Sequence, residues 1–234
     1  GGGGGGAGAP AAAGADPDGS APPPPPLLRL GPGALTLRGG PEGLVLLPQV
    51  LSPWEQGQLI AACLREWAYP PYGRTNAGEL PPPPDGARPG PLPDHVSWVT
   101  LGLHFQWSSR SYDRACQGPF PPPLARLAAR LAPPGAPCAA QSAIVKIYGP
   151  RDSMLAHRDD AEEAQGAPVV SVSLGCEGVL LVGGRAREEA PRAVLLRSGD
   201  AVLFGGAARA CYHSMPRVFP GTAPDLGGPE PAGW

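Results

Sequence analysis

Apolar positions return along this chain in two rhythms. In the first half the spacing is helical. Ser52-Pro53-Trp54-Glu55 reads as a capping box, with Ser52 as N-cap, Pro53 at the first helical position and Glu55 at the third. Ile60, Cys63, Leu64 and Trp67 then form one apolar helical face, which Pro70-Pro71 stops. Leu124, Leu127, Ala128 and Leu131 make a second, shorter helical face between prolines. Strand-like runs bracket these helices: Leu44 to Leu47 first, then the aromatic stretch Trp98 to Trp107. Between them, Tyr72 to Pro93 is rich in proline and glycine and reads as a long loop, a lid or a plain insertion.

After Pro133-Pro134 the rhythm changes. Short apolar runs follow one another at Ala143 to Tyr148, Val169 to Leu174, Val179 to Val182, Ala193 to Leu196, Asp200 to Phe204 and Ala210 to His213. Turns such as Gly183-Gly184, Ser198-Gly199-Asp200 and Gly205-Gly206 separate them. Many short strands with such turns mean a β-sandwich or barrel.

Composition sharpens the domain limits. Of 234 residues, Gly and Pro number 35 each, about two to three times their usual share. Many sit before Leu30, in a Gly/Ala/Pro tail with a polyproline run at Pro22 to Pro26 that can bury too little surface to order itself, though it suits a proline-binding partner. The expected layout is a disordered tail over 1–40, one domain over 41–220 and a Pro/Gly-rich end over 221–234. A net charge of −2 gives no global basic field to announce a nucleic-acid partner. The 5 cysteines are scattered and form no C-x-x-C, which argues for a reducing, intracellular setting and against a zinc site. No apolar run is long enough to span a bilayer.

Candidate chemistry lies at His157-Arg158-Asp159 with the distant His213. Two imidazoles and one carboxylate on one face of an ion are the ligand set of a non-haem Fe(II) centre, with the other face open for a co-substrate and O₂. On a strand, residues i and i+2 point to the same side, so His157 and Asp159 can reach one ion if His213 arrives from a neighbouring strand. The bland alternative is a surface histidine beside the acidic run Asp159, Asp160, Glu162 and Glu163. His104 reads as a structural histidine, and the aromatics around it as core packing or as stacking surfaces for a base.

Further motifs stand in a familiar order: Ala143-Ile144-Val145-Lys146-Ile147-Tyr148, His157-x-Asp159, Pro168 to Gly175, Gly183-Gly184, Ser198-Gly199-Asp200, Gly205-Gly206 and Tyr212-His213. From about Gly43 to Phe219 the chain resembles the AlkB family of Fe(II)/2-oxoglutarate dioxygenases. Ser97 to Thr100, Phe105 to Trp107 and Met215 to Pro220 resemble its AlkB homologue 1 branch. The resemblance implies a mainly β fold with flanking helices (α+β), a double-stranded β-helix or jelly roll. It implies Fe(II) on His157, Asp159 and His213, with 2-oxoglutarate and O₂ as co-substrates. It sets Tyr148, Ser171 and Lys146 at co-substrate positions. Phe204 falls where some members stack an aromatic ring on a flipped base, and Arg187 where some place a cation near nucleic acid. Arg185, Arg187, Arg192, Arg197, Arg209 and Arg217 suggest a modest phosphate-facing patch.

Three departures stand out. Lys146 replaces the family's usual Asn. Ala161 carries no carboxylate where the family's bacterial member uses one toward the base. The closing Arg-x-Asn-x-x-x-Arg strand does not occur before Trp234, so the chain reads as truncated. The expected function is Fe(II)/2-oxoglutarate-dependent oxidative demethylation of N-methylated bases in DNA or tRNA, by a monomer inside the cell with no membrane partner. The alternatives are a catalytically impaired jelly-roll binding module, or a dioxygenase acting on a protein or a small molecule.

Overall fold

The computed structural model describes residues 27–29, 33–81, 92–133 and 138–227. The tail up to residue 26 with its polyproline run, much of the Pro/Gly-rich loop and the end at Trp234 lie outside the described residues. Among the described residues, thirteen strands follow in chain order: β1 Leu27–Arg29, β2 Leu35–Leu37, β3 Leu44–Leu47, β4 Gly73–Thr75, β5 Trp98–Gln106, β6 Ser111–Gln117, β7 Ser142–Lys146, β8 Met154–His157, β9 Val169–Val172, β10 Glu177–Val182, β11 Arg192–Leu196, β12 Ala201–Phe204 and β13 His213–Phe219. Helix α1, Pro53–Ala61, lies between β3 and β4, and α2, Pro122–Leu131, between β6 and β7.

Two antiparallel sheets form the sandwich, ordered β1-β2-β3-β12-β9 and β11-β10-β13-β8. Leu44, Leu46, Val202 and Phe204 of the first meet Leu180, Val182, Val194 and Leu196 of the second in one buried cluster. On the opposite face of the first sheet, Ala201 and Leu203 pack with Leu131 of α2. Strand β12 is therefore buried on both sides, as its unbroken apolar run requires. A third sheet joins β4, β5, β6 and β7, and its Val99 and Leu101 pack against Leu59 of α1 and Trp67. A jelly-roll sandwich flanked by helices matches the expected fold class.

The capping box forms as expected. The Glu55 N–H donates to Ser52 Oγ at 3.3 Å, and the Ser52 N–H donates to Glu55 Oε2 at 2.8 Å. The buried face is re-phased, however. Gln56, Leu59 and Trp67 are buried, whereas Ile60 and Leu64 are only half-buried. Gln56 and Leu59 lie three apart on one side of α1, and a π-helical turn follows over Ala62–Glu66, where the Trp67 N–H donates to Ala62 O at 2.8 Å.

Three other expectations are corrected. The ordered sheet begins before Gly43, because β2 lies inside the stretch expected as tail and buries Leu37. The polar stretch after Tyr72 contributes an edge strand: Arg74 pairs with Thr100, and Gly73 lies so close to the main chain that a Cβ there would be 2.2 Å from Trp67 O. The last strand starts at His213 rather than ending there, since the residues before it form a 3₁₀ turn, Gly206–Ala210. Pro216 is tolerated in β13 because the β10 pairing shifts register between Val179 and Leu181, which puts Pro216 in a bulge.

Candidate metal centre

His157 ends β8 and His213 begins β13, and the two are direct cross-strand partners. Opposed residues of an antiparallel pair project to the same side. The two imidazole rings accordingly lie 4.3 Å apart between centroids. Asp159 lies past the end of β8, so no strand places it, contrary to the i, i+2 expectation. It still reaches both rings: Oδ1 is 3.8 Å from His157 Nε2, and Oδ2 is 3.6 Å from His213 Nε2. One ligand atom from each residue falls within 4.8 Å of the others.

This donor set fits a first-row divalent ion. Adjacent ligands bonded at about 2.1 Å sit about 3 Å apart, so small side-chain shifts close the shell. The imidazoles are also in the correct tautomer. His157 Nδ1–H donates to Leu155 O at 3.0 Å, and His213 Nδ1–H to Cys211 O at 3.4 Å. A carbonyl can only accept, so the proton sits on Nδ1 and the Nε2 lone pair faces the carboxylate. Burial pushes the His213 pKa below its usual value, against the pull of the Asp159 carboxylate. That favours the neutral, metal-binding form.

The remaining expected site residues are placed as follows. Lys146 Nζ sits 4.3 Å from the centre of the Trp107 ring; burial lowers its pKa, and the nearby Asp159 carboxylate opposes that shift. Burial pushes the half-buried Tyr148 hydroxyl up to about 12. Ser171 is the cross-strand partner of Val202 and so shares the face that looks onto the second sheet, yet it is exposed, which leaves the sandwich interior open at β9. Phe204 does not offer a free face for stacking. It is 4% exposed, with its ring 4.7 Å from that of His213, and forms a wall of the centre. Arg187 is exposed; its Nη2 donates to Ala156 O at 3.1 Å, and its guanidinium lies 5.2 Å from the Tyr212 ring centre, while that of Arg158 lies 5.0 Å from the same ring centre.

The suspected patch of arginines does not form one face. Arg209 is buried, Arg197 pairs with Glu177 at 3.1 Å, and Arg192 donates to Gly39 O at 2.8 Å. Nor is the acidic run a free surface. Asp160 pairs with Arg110 at 2.9 Å, Glu163 with Arg114 at 2.8 Å and Glu162 with Arg209 at 2.8 Å, while the Tyr112 hydroxyl donates to Glu162 at 3.2 Å. Sequence reasoning missed these partners, because Arg110, Tyr112 and Arg114 lie in a stretch without apolar periodicity. His104 is buried and bonded to the Thr100 hydroxyl at 2.9 Å, the structural role expected of it. It lines a cleft of about 330 Å³ with Arg74, Trp98 and Trp107.

Comparison with known proteins adds an independent line. Residues 43–230 match the 2OG-Fe(II) oxygenase superfamily. The chain is 42% identical over 131 residues to the DNA N(6)-methyladenine demethylase ALKBH1A of Arabidopsis thaliana, covering 54% of this chain and 38% of that protein. It is 33% identical over 134 residues to the tRNA demethylase abh1 of Schizosaccharomyces pombe, covering 56% and 44%. With the human nucleic acid dioxygenase ALKBH1 the identity is 34% over 138 residues, covering 57% and 35%. The chain thus spans less than half the length of these relatives. The solved structure of OsALKBH1 superposes with a TM-score of 0.60 at 25% identity, covering 86% of this chain and 91% of that one.

Proposed function

The chain belongs to the 2OG-Fe(II) oxygenase superfamily, and from that premise we propose that it removes methyl groups oxidatively from nitrogen atoms of bases in DNA or tRNA. The observation that carries this reading is the convergence of His157, Asp159 and His213. Relatives named as demethylases of DNA and tRNA support the substrate class. Ferrous iron held by His157, Asp159 and His213 would, with 2-oxoglutarate and O₂, supply the oxidising chemistry by which an N-methyl carbon is lost as formaldehyde.

The chain's own residues provide the setting. The two carbonyls behind the imidazoles hold each Nε2 free for the ion. Phe204 and the apolar cluster behind it keep water from the inner side of His213. The Lys146 ammonium suits a carboxylate of 2-oxoglutarate, as a point charge where the family's usual Asn would offer an amide. Tyr148, its hydroxyl kept protonated by burial, would suit as a donor to the same co-substrate, and Ser171, exposed on β9, is the third residue at a co-substrate position. Arg187, exposed beside the centre, suits a phosphodiester. A base in a duplex must leave the stack to reach such a site, so single-stranded or flipped substrate is required.

Among the described residues no helix is long and apolar enough to cross a membrane. All five cysteines are free thiols, which supports a reducing, intracellular setting. Lys146 keeps a second reading in play, a binding module without turnover. The test is formaldehyde release from N-methylated DNA oligonucleotides and methylated tRNA, with Fe(II) and 2-oxoglutarate supplied. Release that disappears in His213→Ala supports the enzyme. Protein that binds the metal but not 2-oxoglutarate, and releases none from either substrate, is the binding module instead.

A further inference from the structure

Among the described side chains, one buried cation has no part in the chemistry outlined above. Arg209 is 5% exposed, and a guanidinium is seldom buried so deeply without partners. It sits in the 3₁₀ turn that leads into β13 and His213. Its Nε donates to Ala167 O at 3.2 Å, its Nη2 donates to Glu162 Oε2 at 2.8 Å, and its Nη1 donates to the main-chain oxygen of Asp159. One planar group therefore spans the loop from Asp159 to Ala167 and ties it to the segment just ahead of His213.

We propose that Arg209 is a positioning residue for Asp159: it holds the main chain of that ligand against the turn preceding His213, with Glu162 as its brace. This rests on the reading of the triad as a metal centre. The need for such a device follows from the fold. His157 and His213 are held by a strand ladder, whereas Asp159 lies past the end of β8 and has no ladder to hold it. Rotation about its backbone would swing the carboxylate away from both imidazoles. Glu162 neutralises the guanidinium, so the buried cation is not left unpaired. The second oxygen of Glu162 accepts from the Tyr112 hydroxyl, which anchors the brace on β6. A lysine would keep the charge but not the rigid fork that serves three acceptors in different directions.

Co(II) is the probe, because its visible spectrum reports coordination and its affinity is measured without turnover. Outer-shell partners of metal ligands typically contribute roughly 10–100-fold in affinity. Arg209→Lys is expected to fold, to bind Co(II) weaker by a factor in that range, and to show an altered spectrum even at saturating Co(II). Arg209→Met is expected to lose at least as much; if it fails to fold, Arg209→Lys decides. Arg114→Ala, which breaks the exposed pair with Glu163 on the same loop, is expected to leave affinity and spectrum unchanged. Wild-type affinity and spectrum in folded Arg209→Lys overturn the proposal while the metal centre stands. A wild-type chain that takes up no Co(II) overturns both.

Discussion

Behind each imidazole of the centre stands the carbonyl of the residue two positions earlier, Leu155 O for His157 and Cys211 O for His213. The residue types of the triad were legible in the sequence, because His-x-Asp and a distant His are few enough to weigh one by one. The means of holding Asp159 was not. Arg209 stands in the small-residue stretch Gly205 to Cys211, where one arginine gives no periodic signal and reads as surface charge. Phe204 was equally ambiguous, since an aromatic ending an apolar run suits a core as well as a stacking site. His104 carries a prediction at this scale. Burial, and after it the Arg74 charge, pushes its pKa below the ordinary 6.5. The unfolded chain then binds a proton that the folded chain refuses between 6.5 and the lower folded value. The stability it contributes is fully present above the unfolded pKa and is lost as the pH falls through the folded one. Urea unfolding midpoints are expected to drop on acidification through this window, less steeply in His104→Gln. An unchanged slope in that variant would contradict the assignment.

Among the elements, those with a strong apolar rhythm were visible in advance, and those made by backbone pairing were not. Strand β5 and sandwich strands β3, β10, β11 and β12 alternate or run apolar, so burial selects them. Strands β4, β6 and β8 are short or polar, and form because a neighbour offers a ladder or, for β6, because Arg110, Tyr112 and Arg114 meet the acidic loop. The cap of α1 is local chemistry and was readable outright. Burial acts to raise the Glu55 pKa, but the Ser52 N–H and the Arg130 guanidinium more than offset it and hold it below 4.5. Ser52→Ala is expected to cost about 1 kcal/mol at neutral pH, read from denaturant unfolding. Because the depressed carboxylate stabilises above its unfolded pKa and stops doing so as the pH falls through its folded value, the penalty of Glu55→Gln is expected to shrink toward acid pH. A pH-independent penalty would mean that the ionised carboxylate is not the capping species.

In the whole molecule, β12 links the layers. Val202 and Phe204 face the second sheet, and Ala201 and Leu203 face α2. The first half of the chain is clasped to the sandwich through buried Gln56, whose Oε1 accepts from the Ser198 hydroxyl at 2.6 Å and whose Nε2 donates to Leu51 O at 2.9 Å. Sequence periodicity has no signal for a buried glutamine, so this clasp was not foreseen, although both of the elements it joins were. The metal centre depends on the same assembly, because its ligands come from β8, the loop after it and β13, and meet only when the second sheet is paired. The most direct test is anaerobic calorimetric titration of the chain with Fe(II), beside Asp159→Ala of matched thermal stability. One ion bound per wild-type chain, with binding lost in the variant, is the expected result. Equal uptake by both proteins, or none by the wild type, would contradict a centre built on His157, Asp159 and His213.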